Sequence, residues 1–272
     1  MPEGDTIFRT ASSLRRWIGG RTVTAARSSM PAPTLASLVG TTCASVDAHG
    51  KHLLMRFTGA GPDLVLHTHM RMTGSWHVYS AGETWKRPER QAKVIIECHE
   101  RVAVCFNVPI VELSSDANGV RARHDAVGHL GPDILSDPLD IDVIVARARS
   151  RPPETPLGEL LLDQRVTAGI GNIYRCESLF VEGFNPWLRV DTIDDAKLSA
   201  LITTAATLMK TAIGAQSMDR DFGRGSGQPW VYGRTGRPCH RCATLIRSRL
   251  QGAQARTAFW CPTCQPTPST VT

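Results

Sequence analysis

Ile7, Ala11, Leu14 and Ile18 recur every three or four positions, the period of a helix that buries one face. This pattern predicts a helix from Asp5, as its cap, to about Trp17 or Ile18, where Gly19-Gly20 stops it. Arg9, Arg15 and Arg16 fall on its polar face. From Thr22 to about Leu113 the pattern shortens to β-branched and aromatic runs: Val46, Leu53 to Phe57, Leu64 to His67, Trp76 to Tyr79, Lys93 to Cys98, and Val102 to Val108. Gly, Pro and Asp punctuate these runs, which predicts an antiparallel sandwich or barrel rather than βαβ units. After the turn-forming Asp116-Ala117-Asn118-Gly119 the period becomes helical at Asp142 to Arg149, and the Pro-rich segment 151–156 breaks it. Leu157 to Arg165 and Ile173 to Phe180 are two more helical segments around a glycine turn, and Lys197 to Ile213 is a longer one. A Gly-rich loop then runs from Gly214 to Gly227, and a cysteine ribbon begins near Val231. The expected organisation is α+β: an N-terminal helix with an antiparallel β-sandwich over 1–120, a helical domain over 121–230, a four-cysteine finger over 231–266 and a disordered tail over 267–272. The hinge is expected between residues 119 and 133.

Composition narrows the class. At 42% hydrophobic and 21% charged residues the chain has the make-up of a soluble protein, and no apolar run reaches the roughly 18 residues of a membrane span. Its start, Pro-Glu-Gly-Asp, is neither basic nor apolar, so a cytoplasmic protein with no membrane attachment is expected. The net charge of +6 is concentrated: residues 220–272 hold eight arginines against Asp221 alone, a net +7, while the remainder sums to −1. Arginines near Trp230, Tyr232, Phe259 and Trp260 suit a polyanion with stackable bases, although a solvated basic surface has the same composition.

The most specific chemical signal is Cys239-x2-Cys242 with Cys261-x2-Cys264, the spacing of a zinc ribbon in which four thiolates surround one structural Zn2+ and leave no open position. His240 lies between two of these ligands and is read as solvent-facing. Cys43, Cys98, Cys105 and Cys176 have no paired spacing and read as buried thiols of a reducing compartment. At the other end, removal of Met1 would expose a secondary amine on Pro2, a nucleophile for an aldehyde, with the Glu3 carboxylate beside it. Gly169-Ile170-Gly171-Asn172 opens a helix with free backbone N–H groups, an arrangement that holds phosphate and that also serves close helix packing. Gly50-Lys51 sets a lysine where a strand begins.

Taken together these residues resemble the formamidopyrimidine-DNA glycosylase and endonuclease VIII family, in the manner of a bacterial endonuclease VIII-like member. The likeness rests on Met1-Pro2-Glu3-Gly4, Gly50-Lys51, the segment from Leu161-Leu162-Asp163-Gln164 to Gly171-Asn172-Ile173-Tyr174, and the finger with Arg256 ahead of Trp260-Cys261-Pro262-x-Cys264. It implies a β-sandwich, a helix-two-turn-helix domain and a zinc finger. It also implies a DNA glycosylase and abasic-site lyase that acts on damaged DNA as a monomer. Pro2 would attack C1′ and form a Schiff base, Glu3 would protonate the sugar ring oxygen, and Lys51 would contact phosphate and assist. Arg256 and Asn172 would grip the phosphates flanking the lesion, and Arg165 stands where relatives often carry lysine. Met72, in His69-Met70-Arg71-Met72-Thr73-Gly74, would be the wedge that fills the gap left by a flipped base; the other reading is a core methionine.

Three positions depart from the family pattern. Thr6 stands where many relatives have a second glutamate, which shifts any such role to Asp5. Ile110-Val111-Glu112 replaces an Arg-Arg-Phe run that contacts the opposite strand, and Gln216 to Tyr232 is short for a loop covering an oxidised purine. Oxidised pyrimidines are therefore the expected substrates. A zinc-ribbon DNA-binding protein without catalysis is the alternative; an N-terminal-proline tautomerase is discounted, because such chains are much shorter and lack a zinc finger.

Overall fold

In the computed structural model, which describes residues 2–117, 119–214, 220, 222 and 227–267, the first helix, α1, runs Gly4–Ile18 and buries Ile7, Ala11, Leu14 and Ile18. Covering the three large apolar side chains of this set contributes about 5–9 kcal/mol before chain entropy is charged against it. The helix starts earlier than the pattern predicts. Glu3 is its N-cap, the Glu3 carbonyl accepts the N–H groups of Thr6 and Ile7, and Asp5 lies buried inside the first turn instead of capping it.

The chain divides into two units, Met1–His129 and Leu130–Thr272. In the first, β1 (Ala25–Ser28), β5 (Ser75–Ser80), β6 (Ala92–Cys98) and β7 (Arg101–Phe106) form one antiparallel sheet in the order β1-β6-β7-β5. A second antiparallel sheet, β2-β3-β4-β8, is built from β2 (Thr42–His49), β3 (His52–Thr58), β4 (Asp63–His69) and β8 (Ile110–Asp116). One core joins both sheets and α1, through Val46, Leu53, Met55, Phe57 and Leu66 from one sheet and Val94, Ile96, Cys98, Ala103 and Cys105 from the other. Alternation along the strands produces this inner face. Helix α2 (Val120–Val127) packs on β8 and β4, and the first unit ends at His129.

The second unit contains α3 (Ile141–Arg149), α4 (Leu157–Leu160), α5 (Asn172–Glu182), α6 (Asp195–Gly214) and the hairpin of β9 (Arg247–Gln251) and β10 (Arg256–Trp260). Its core gathers Ile144, Leu157, Leu161, Tyr174, Leu179, Leu201, Ile202 and Met209. Helix α4 ends five residues before the predicted Arg165. The cause is Asp163, whose carboxylate takes the Arg165 N–H at 3.0 Å and bends the chain into a side-chain-closed turn that competes with the helix. The finger belongs to this same unit: Phe180, Val231, Ile246 and the buried Cys239 and Cys261 form one cluster. Among the described residues no helix is long and apolar enough to cross a membrane.

Candidate active site, phosphate contacts and metal centre

Pro2 is half-buried and Glu3 has no exposed surface. Glu3 is extended (φ −124°) at the head of α1, so its carboxylate is held by the fold and excluded from bulk water. Met1, whose removal the Pro2 reading requires, lies outside the described residues. Lys51 sits in the two-residue turn of the β2–β3 hairpin, between the paired His49 and His52. Gly50 there has φ +56°, the left-handed backbone that such a tight hairpin favours in glycine. A lysine on this turn is positioned by the ladder beneath it, not by a free loop.

Met72 stands at the apex of the turn after β4, with 57% of its surface exposed, which rules out the core reading. The turn is closed by Gly74 N–H donating to the Met70 carbonyl at 2.8 Å, and Thr73 Oγ1 donates to the Asn107 carbonyl at 3.1 Å. A Cβ on Gly74 would lie 2.7 Å from that Met70 oxygen, so glycine is required for the closure. Arg71 has φ +49°. Ile110-Val111-Glu112 is not a loop: it opens β8, paired with His69, Thr68 and His67 of β4.

In the second unit the Gln164 side chain stitches the segment before α5. Its Nε2 donates to the Leu162 and Ile170 carbonyls, and its Oε1 accepts the Gly169 N–H at 3.0 Å. Gly169 has φ +111° and Gly171 caps α5 in extended form. Asn172, the first residue of α5, donates through Nδ2 to the Thr257 carbonyl of β10 at 2.9 Å. Its Oδ1 is buried and has no partner among the described residues. The next turn brings Arg175, fully buried, with Nη1 3.3 Å from Gln251 Oε1 and Nη2 3.5 Å from the Arg256 carbonyl. Asn172 and Arg256 are thus brought together at the hairpin tip. Arg165 is engaged elsewhere, in a bidentate pair with Asp163 at 2.9 and 3.0 Å, and that hydrogen-bonded carboxylate raises its pKa.

The Sγ atoms of Cys239, Cys242, Cys261 and Cys264 all lie within 4.8 Å of one another. Three of the separations are 3.4, 3.5 and 3.9 Å, against the edge of about 3.8 Å of a sulfur tetrahedron with 2.3 Å metal bonds. The four cysteines therefore fit a metal ion. Hydrogen bonds at Thr244 draw the Cys242 thiol down to about 6, while burial and the neighbouring sulfurs push Cys264 up. Four thiolates this close need a cation among them. His240 is exposed, as expected. Cys43, Cys98, Cys105 and Cys176 are buried, and burial raises Cys43 to about 12 and Cys98 to about 11.

Two features of the second unit were not read from the sequence. The aromatic residues of the basic tail are used for packing: Trp230 stacks on Phe180 at 5.2 Å, Tyr232 meets Phe259 at 5.2 Å and Trp260 meets Trp187 at 4.8 Å. Sequence reasoning also passed over Glu177, a carboxylate with no exposed surface that accepts the N–H groups of Trp230, Val231 and Tyr232 at 2.6, 3.0 and 2.9 Å. Its only signal was an acidic residue within the helical segment Ile173 to Phe180.

These features define a DNA-repair class of protein, and comparison with known proteins places the chain within it. The formamidopyrimidine-DNA glycosylase N-terminal domain matches residues 1–109, and the H2TH domain of the same family matches residues 130–221. The chain belongs to the formamidopyrimidine-DNA glycosylase and endonuclease VIII family, a family of DNA glycosylase and abasic-site lyase enzymes. It is 39% identical over 276 residues to the probable endonuclease 8 2 of Streptomyces coelicolor, covering 99% of this chain and 95% of that one. It is 35% identical to the DNA-(apurinic or apyrimidinic site) lyase Nei2 of Mycolicibacterium smegmatis, over 97% and 99% of the two chains. Among solved structures, Lactococcus lactis Fpg in complex with DNA containing N7-benzyl-Fapy-dG superposes with a TM-score of 0.80 at 21% identity, covering 98% of this chain and 100% of that one. That likeness bears on the fold.

Proposed function

We propose that this chain is a bifunctional glycosylase and abasic-site lyase that removes oxidised pyrimidines from damaged DNA, working as a cytoplasmic monomer. The Pro2 nitrogen attacks C1′ of the damaged nucleoside; the C1′–N bond breaks and the base leaves with its electron pair. Glu3 gives a proton to the ring oxygen as the sugar opens, and an iminium joins Pro2 to C1′. The iminium acidifies C2′, so loss of a C2′ proton expels the 3′ phosphate. A second elimination can release the 5′ phosphate. An α-amine has an ordinary pKa of about 7.7–8.0, so an appreciable neutral fraction exists at working pH.

The observation that carries this reading is Glu3, a carboxylate without exposed surface adjacent to the half-buried Pro2 at the head of α1. The other roles follow. Lys51, on its rigid hairpin, contacts phosphate and assists the eliminations. Exposed Met72 fills the space of the flipped base, whose extraction costs a few kcal/mol. Asn172, whose Nδ2 carries a second N–H besides the one given to Thr257 of the finger hairpin, and Arg256 grip phosphates beside the lesion. Arg165 adds a peripheral phosphate contact only by exchanging Asp163 for it. Zinc is the ion the four cysteines hold, and it supplies folding free energy to a hairpin too small to fold alone.

The preference for pyrimidines is tested by comparing single-turnover excision of thymine glycol, 5-hydroxycytosine and 8-oxoguanine from otherwise identical duplexes. Faster excision of both pyrimidines is expected, and a purine preference would overturn it. Binding without excision of any lesion would leave a zinc-ribbon DNA-binding protein.

A further inference from the structure

Strand alternation gives the second sheet of the first unit an outer face. Val46, Leu53, Met55 and Leu66 turn into the core shared with the other sheet, so their neighbours Asp47, Leu54, Arg56 and Val65 point the other way. Between these side chains and the first turn of α2 lies a cavity of about 310 Å³, at the lower end of the range of small-molecule sites. Its walls divide by chemistry. Leu54 and Val65 form an apolar floor, and Val120 of α2 adds an apolar side chain that keeps 65% of its surface exposed. Arg56 and Arg123 line the same space, with side chains 42% and 45% exposed.

The two guanidiniums are only partly engaged. Among the described residues Arg56 gives one N–H, from Nη1 to Asp63 Oδ2 at 2.8 Å, and Arg123 makes one long contact, from Nη1 to Asp47 Oδ2 at 3.5 Å. The remaining N–H groups of each fork are open. Asp47 is shared: Ser45 Oγ donates to it at 2.9 Å, and Arg15 Nη2 stands 3.7 Å away. The Asp116 carboxylate is taken up by the Gly119 and Ala122 N–H groups at the start of α2. Arg15, Arg56 and Arg123 therefore face two carboxylates, Asp47 and Asp63, and a third negative charge would balance them.

We propose that this cavity binds a small carboxylate with a compact apolar body. The carboxylate oxygens accept from Arg56 and Arg123, because paired N–H groups of a guanidinium fork match that geometry, and the body covers Leu54, Val65 and Val120. Among the described residues no aromatic ring lines the cavity, so a nucleobase would have nothing to stack on. A bare phosphate would leave the apolar floor uncovered. The site involves neither Pro2 nor Glu3 and does not depend on the chemistry proposed for them.

The test is a titration of the full, metal-loaded chain, its Leu and Val methyl groups carrying a carbon isotope label for NMR, with naphthalene-2-carboxylate. Saturable shifts of the Leu54, Val65 and Val120 methyl signals are expected, with a dissociation constant on the order of 1 mM for a ligand of this size. Arg56→Gln and Arg123→Gln should each weaken binding about threefold or more, since these partly exposed charges are screened by water. Val120→Asp, a change on an exposed side chain, should abolish binding by setting a second carboxylate against the first. The neutral naphthalene-2-carboxamide should bind about fivefold more weakly than the acid. Equal affinity for acid and amide, or shifts that inorganic phosphate reproduces, would overturn the assignment. Displacement of the naphthalene-2-carboxylate by a duplex oligonucleotide would overturn it too, by giving the arginines to DNA. Shifts that do not saturate, or that fall outside the cavity, have the same force and are read on the wild-type protein, so a variant that fails to fold does not shelter the proposal.

Discussion

Glu177→Ala removes the acceptor for three backbone N–H groups at once. In the folded protein the carboxylate has no exposed surface, holds Trp230, Val231 and Tyr232 at 2.6–3.0 Å and lies beside Arg234, itself buried. Burial pushes its carboxyl above the ordinary range, and those three N–H groups and Arg234 oppose the rise; three donors with no acceptor among them require the oxygens to accept. An alanine leaves the three N–H groups buried without that acceptor and removes the carboxylate that faces Arg234, whose guanidinium still donates to the Trp230 and Pro238 carbonyls. Each orphaned group costs about 1–3 kcal/mol, and removing one partner of a buried charged pair typically costs about 3–5 kcal/mol. A loss of about 4 kcal/mol is expected, and Glu177→Gln, which keeps one carbonyl acceptor, should lose about half as much. Urea unfolding of metal-loaded protein, followed by tryptophan fluorescence and by release of metal to a chromogenic chelator, reads the effect. Because residues 230–232 lie in the cluster that seats the finger, metal should escape at lower urea in the alanine variant. A loss below about 1 kcal/mol, or equal losses for alanine and glutamine, would refute the reasoning.

Three further outcomes are expected. Burial holds the folded pKa values of His52 and His69 at about 3 and 4, below their ordinary value, so the unfolded chain binds more protons between those values and about 6.5 and stability falls as the solution is acidified. Going from pH 7 to pH 5 should cost about 2 kcal/mol after discounting half for partial exposure, and urea titrations in which stability is flat over this range, or in which His52→Gln keeps the full slope, would contradict it. Chelating the metal should free the Asn172 amide from Thr257 and abolish salt-dependent DNA binding, read by hydrogen exchange at the hairpin and by anisotropy; retention of both would show that the finger folds without metal. Met72→Ala should slow base excision from duplex about tenfold, ~1.4 kcal/mol, and leave cleavage of a single-stranded abasic site unchanged; equal loss on both substrates would remove the wedge role.

Much of the fold was legible because its cause is periodic. The helical spacing of Ile7, Ala11, Leu14 and Ile18 and the alternation through Leu53, Met55 and Phe57 are the patterns that the shared core of the first unit uses. The cysteine spacing was legible because four sulfurs around one ion need two short turns of fixed length. Elements set by a single side chain were not. Asp163 ends α4 by taking the Arg165 N–H, and the Asp116 carboxylate anchors the start of α2 by accepting the Gly119 and Ala122 N–H groups; neither has a periodic signature. Composition did not show the packing of the tail's aromatic residues, because it cannot separate a ring that stacks on Phe180 from one that stacks on a base. His67 hydrogen-bonds to Glu112 and to His52, 45 and 15 positions away, and only the strand register brings them together.

Borohydride trapping on an oligonucleotide with an abasic site, with the adduct mapped by mass spectrometry, tests the imine at Pro2 most directly. The prediction is a covalent adduct on the peptide that begins with Pro2, absent when Met1 is retained. An adduct on a lysine, or none from correctly processed and metal-loaded protein, would contradict it.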